Sequence, residues 1–267
     1  MRSHALKFAT MMLALSTSAS HALAEDDEQE GFAFHGMVAG GVGFLPEYQG
    51  GTDYEMVPLI LGQFDAFGMS LEHQGLGANL NILPGGAFEF GIAGLYEPGR
   101  KDVSNAQVSK LPEIDGAFNL GGFARYNFDA LLAPQDELSI ELDVLADVTG
   151  TYDGFVATLD ASYSTQFAER WFVGFDAGME FADANYMETY FGVGAASPSG
   201  LAAYEPDAGL KSVNVNATVG FALSESLSLV GRAGYTRLLG EAADSPIVKD
   251  TGSPDQFFVG TGVMFRF

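Results

Sequence analysis

The chain contains no cysteine. Disulfide-stapled scaffolds, Cys-ligated zinc sites and iron–sulfur clusters are thereby excluded, as is anchoring through a lipidated N-terminal thiol. Basic side chains are scarce: 12 Lys and Arg stand against 35 Asp and Glu, a formal charge of −23. Such a chain repels polyanions, so nucleic acid is not expected as a partner. Histidine is nearly missing, with 4 residues in all. Beyond the N-terminus no stretch approaches the roughly 20 apolar residues that a membrane-crossing helix needs. What the chain does have is 47 % hydrophobic residues, with 22 Phe and 34 Gly among its 267 positions. That is too much apolar surface for a disordered chain. It also raises the question of where an acidic protein puts so much Phe.

The N-terminus reads as an export signal. Arg2 and Lys7 form a positive start, Phe8 to Ala19 is a short apolar stretch, and Ala22-Leu23-Ala24 is a cleavage pattern. Cleavage after Ala24 would leave 243 of the 267 residues as one domain and move the formal charge from −23 to −25. The expected address is the outer membrane of a Gram-negative bacterium.

The recurrent signal in the mature chain is strict alternation. From Glu137 to Val148, Leu138, Ile140, Leu142, Val144, Ala146 and Val148 share one face, and Glu137, Ser139, Glu141, Asp143 and Asp147 share the other. The same two-faced pattern recurs at 118–128, 155–164, 171–181 and 213–221, with aromatics near the segment ends. Either a soluble β-sandwich or a membrane barrel can use such strands. Three features favour the barrel. The polar faces carry Gly and ionisable groups such as Glu89, Arg125, Asp160, Asp176 and Arg232; short turns alternate with long loops; and the last strand ends on Phe265 and Phe267, as in the assembly signal of outer-membrane barrels.

The fold expected is all-β, a transmembrane antiparallel β-barrel of the bacterial outer membrane. Candidate strands run near 33–45, 54–64, 67–73, 76–83, 87–97, 116–128, 137–148, 154–166, 171–182, 210–222, 227–238 and 257–267. Breaking 67–83 around His73-Gln74-Gly75 makes about twelve strands and puts the short turns on one side; ten is the fallback. The long connections near 46–53, 98–115, 183–209 and 239–256 then share the extracellular side.

Little here suggests chemistry. Once His4 and His21 leave with the signal, His35 and His73 remain, and neither is flanked by a nucleophile or acid pattern. No catalytic, cofactor-binding or metal residue is assigned. Glu141, Asp143, Asp160, Asp176 and Glu180 read as one lumenal charge network with Arg125, Arg232 and Arg266, since buried charges are normally paired. The loop acids Asp102, Glu205, Asp207, Glu241 and Asp244 match no EF-hand spacing and read as solvated charge.

Four loop segments carry a more specific signal: P-E-Y-Q-G-G-T-D-Y (Pro46 to Tyr54), F-A-D-A-N-Y-M-E-T-Y-F-G-V (Phe181 to Val193), S-G-L-A-A-Y-E-P-D-A-G-L-K-S-V (Ser199 to Val213) and L-L-G-E-A-A-D-S-P-I-V (Leu238 to Val248). They resemble the MipA/OmpV family of MltA-interacting outer-membrane proteins. The resemblance implies a non-enzymatic barrel contacting outer-membrane lipid. It further implies a scaffold that joins a murein lytic transglycosylase to a penicillin-binding synthase; some members are better described as porin-like or as surface antigens. The alternative is thus a small, cation-leaning channel. A periplasmic enzyme would meet the Asp129–Asp136 turn, whereas all four motifs fall on the opposite side. The motifs are therefore expected to be structural, folding inward so that Tyr48, Tyr54, Tyr186 and Tyr190 plug the barrel mouth.

Overall fold

The computed structural model describes residues 35–131 and 133–267. The expected signal peptide, at 1–24, lies outside them. The strands are β1 (His35–Pro46), β2 (Tyr54–Ala66), β3 (Met69–Gln74), β4 (Gly77–Asn81), β5 (Phe88–Glu97), β6 (Ala117–Asp129), β7 (Asp136–Asp147), β8 (Phe155–Ala168), β9 (Trp171–Ala182), β10 (Gly209–Ala222), β11 (Leu227–Leu238) and β12 (Asp255–Arg266). Each pairs antiparallel with its sequence neighbours, and β1 pairs with β12 to close the barrel. Closure leaves no sheet edge, the condition for a sheet in lipid.

Two local choices set the strand count. Phe67 (φ 56°) and Gly68 (φ 72°) are both left-handed, as the two-residue turn from β2 to β3 requires. Gly75 (φ 62°) turns β3 into β4, which breaks the 67–83 segment in two. This hairpin is short. β3 pairs with β2 only from Leu61 onward, so Tyr54 to Leu59 rise beyond it.

The period-2 pattern has an inside-out result. Met56, Ile60, Phe90, Leu142, Phe175, Val215 and Val259 are all more than two-fifths exposed on the outer face. In water such a surface would aggregate, whereas in a bilayer lipid takes the place of a core. Aromatic pairs mark both rims: Tyr96–Phe118 (4.9 Å between ring centroids) and Tyr235–Phe257 (5.3 Å) at the end with long loops, Tyr126–Phe128 (4.7 Å) and Trp171–Phe221 (4.7 Å) at the end with short turns. Phe265 and Phe267 belong to the second girdle. Phe267 exchanges two backbone hydrogen bonds with Gly36, so the last residue is stitched to the first strand.

Glycines on the inner face make room for larger lumenal groups. A Cβ on Gly220 would lie 1.7 Å from the Phe172 ring, and one on Gly178 would lie 1.9 Å from Asp160 Oδ1. The connections at 67–68, 82–87, 130–135, 169–170 and 223–226 share the end that holds His35 and Phe267, and the longer connections share the other.

Those longer connections hold the buried apolar core. Helices α1 (Ala184–Phe191), α2 (Gly240–Asp244) and α3 (Pro246–Lys249) interrupt what the sequence suggests is plain loop. Tyr186, Met187 and Phe191 of α1 pack with Phe123, Tyr152, Val156, Ala242 and Val248. Tyr48, Val108, Val193 and Ile247 form an adjoining cluster.

Candidate functional site

Three levels of the lumen carry polar structure. At mid-height, the register of β3 to β7 brings Glu72, Glu89, Arg125 and Glu141 to the inner face. The Arg125 guanidinium reaches all three carboxylates, at 2.9 Å to Glu72, 3.3 Å to Glu89 and 2.5 Å to Glu141. One cation thus ties together β3, β5, β6 and β7. A planar fork of donors suits this job better than an ammonium would.

Across the lumen, Arg232 on β11 meets Asp176 on β9 at 3.0 Å and donates to Thr218 at 3.1 Å. Ser162 donates to Asp176 at 3.0 Å. Asp143 and Asp160 are buried on the inner face and take part in no ion pair among the described residues. The single expected network is instead divided, around Arg125, around Arg232 and, for Glu180, around Lys211 nearer the mouth, and Arg266, exposed at the turn end of β12, belongs to none of these groups.

The third level is the mouth. Asp183 caps α1 by accepting from Tyr186 N at 3.0 Å, which turns the chain back over the lumen. Ser245, fully buried, donates to Phe191 O at 2.6 Å and caps α3, whose first residue is Pro246. The two helices are thereby pinned to each other. Beneath them, the Tyr186 hydroxyl donates to Glu97 and accepts from Gln49 Nε2 (2.7 Å) and Lys211 Nζ (3.1 Å). Lys211 in turn meets Glu180 at 2.6 Å. Burial holds the Tyr186 phenol well above its ordinary 10, so it stays a neutral donor.

Of the tyrosines expected in the plug, Tyr48, Tyr186 and Tyr190 come together beneath the loops, all buried. Tyr54 does not. It opens β2 on the outward-facing parity, 43 % exposed, and its hydroxyl accepts from Phe257 N at 3.0 Å at the rim. His73, on the outward parity of β3, faces away from the lumen.

Glu72, Glu97, Arg100 and Lys211 take part in these polar clusters although the sequence does not single them out. Glu72 and Glu97 share the inward parity of their strands, a signal open to counting. Lys211 breaks the count: a register shift between Leu210 and Ser212 turns it inward.

Between the plug and the strands lies a cavity of about 90 Å³, bordered by Tyr48, Gln49, Glu97, Arg100, Tyr190 and Lys211 among others. Arg100 is 6 % exposed; its Nη1 donates to Tyr190 O at 3.1 Å, and its Nε finds no partner among the described residues. Desolvation lowers its pKa to about 10, so it remains a cation at neutral pH.

The putative outer membrane protein YiaT of Escherichia coli K12 is 30 % identical over 132 residues, which cover 48 % of this chain and 51 % of the relative. The chain thus spans about half the length of the curated relatives it matches. Among solved structures, the COG4313 outer membrane channel from Pseudomonas putida F1 aligns with a TM-score of 0.47 at 12 % identity, covering 91 % of this chain and 100 % of that one. The anion-selective porin from Comamonas acidovorans aligns at 0.41 and 9 % identity, covering 89 % and 99 %. The family model described as MltA-interacting protein MipA matches residues 38–267. The chain is an outer-membrane β-barrel protein of the MipA family.

Proposed function

We propose that this barrel is a non-enzymatic platform that assembles murein-remodelling enzymes, a lytic transglycosylase and a penicillin-binding synthase, at the outer membrane. The observation that carries the reading is the occupied lumen. α1 and α3 bury one face each at the mouth, through Tyr186, Met187, Phe191, Ile247 and Val248, and Arg125 and Arg232 make ion pairs between strands below it. A barrel filled in this way suits holding partners better than passing solutes. The description of the matching family, MltA-interacting, supports the same reading. With the long loops outside the cell, as is usual for such barrels, the enzymes would meet the short-turn end, where 130–135 is among the longest connections. The test is capture of a purified lytic transglycosylase by the full barrel in detergent. Capture that is lost when 130–135 is replaced by a two-residue turn supports the platform; absence of capture contradicts it.

A second reading, a cation-leaning channel, has one observation in its favour. The inner face holds Glu72, Glu89, Glu97, Glu141, Asp143, Asp160, Asp176 and Glu180 against Arg125, Lys211 and Arg232. Such an excess of carboxylate would favour cations over anions in any path that opened.

A further inference from the structure

We propose that the cavity under the plug binds a small zwitterion of the amino-acid class, its carboxylate on Arg100 and its ammonium toward Glu97. This goes beyond the platform reading and does not depend on it. A buried charge is costly unless it is paired, and buried polar atoms in folded proteins nearly always find partners. Arg100 is a buried guanidinium that makes no ion pair with a carboxylate among the described residues. Its Nε and the Tyr190 hydroxyl have no partner among the described residues, and both residues border the same cavity. Two such donors call for an anionic acceptor, and a carboxylate fits a guanidinium best.

The same cavity also offers acceptors. Gln49 Oε1 is a buried acceptor without a partner among the described residues, and Gln49 Nε2 donates to Glu97 at 2.7 Å, which places that acceptor beside a carboxylate. Acceptors of this kind match an ammonium. Among the charged side chains that border the cavity, Glu47, Glu97 and Glu180 outnumber Arg100 and Lys211 by one, so a zwitterion without net charge adds nothing to the excess, whereas phosphate would add to it. The volume, about 90 Å³, equals roughly six to nine water sites, the scale of a small amino acid.

The experiment is calorimetric titration of the full barrel in detergent with alanine, propionate and inorganic phosphate, with heat-modifiable migration used to verify folding. Saturable alanine binding, tighter than that of propionate or phosphate, is expected. Arg100→Gln should weaken it about ten- to a hundredfold. Because Arg100→Gln could disturb the plug, Tyr190→Phe provides the second test. It removes a hydroxyl that has no protein partner, so it should weaken alanine about two- to tenfold while leaving thermal stability unchanged. No saturable alanine binding, equal or tighter binding of propionate or phosphate, or unchanged affinity in folded Arg100→Gln would each overturn the proposal.

Discussion

Lys211 meets Glu180 at 2.6 Å inside the barrel, although strict alternation along β10 would turn its ammonium toward lipid. The register shift at Leu210/Ser212 reverses its direction and places it under Tyr186, with the ammonium 4.7 Å from the ring centroid. Lys211→Met should therefore strip the compensation from Glu180. A loss of about 3 kcal/mol in folding stability is expected, read by denaturant unfolding in lipid vesicles. Replacing both partners by apolar residues should cost clearly less than the single change.

The lipid-facing surface makes a sharper distinction by parity. Leu142, midway along β7 and 48 % exposed, should tolerate Lys poorly, at about 2–4 kcal/mol. A comparable cost at the inward neighbour Ser139 would contradict the assignment of faces.

Gly220 and Phe172 form a matched pair across β9 and β10. Gly220→Ala should destabilise the barrel by about 1–3 kcal/mol, because the new methyl meets the ring. Phe172→Ala in the same chain should recover most of that loss, a coupling that a double-mutant cycle would read.

The buried tyrosines of the plug predict a pH dependence. Desolvation pushes Tyr48 up to about 12 and raises Tyr152 and Tyr190 as well. A phenol whose folded pKa exceeds its unfolded value near 10 stabilises fully below pH 10. That contribution falls as the pH rises toward and through 12. Stability against denaturant should thus be flat to about pH 9 and decline above 10. Near-ultraviolet titration should show a late-ionising phenolate that Tyr48→Phe removes.

Much of this architecture was open to counting along the chain. Every strand lies within two residues of the range expected from alternation, because one face meets lipid and the other a polar lumen, so each strand repeats the same contrast. The break around Gly75 is legible from parity, since splitting 67–83 puts the short turns on one side, and the structure turns there on a left-handed φ that Gly adopts cheaply. Arg125 and Arg232 were legible as lumenal, but which acids they reach depends on strand stagger, which no single segment encodes. The motif around Tyr54 suggests the plug, whereas its parity in β2 points it outward, and parity prevails. The helix α1 is one short turn-rich segment whose order comes from packing on β-strand ends, so it had no period long enough to notice.

Single-channel recording in planar bilayers reads whether loops and ion pairs fill the lumen. The purified full barrel should show no stepwise conductance at moderate voltage. Regular, cation-selective steps from the folded protein would contradict the account and establish the channel in its place.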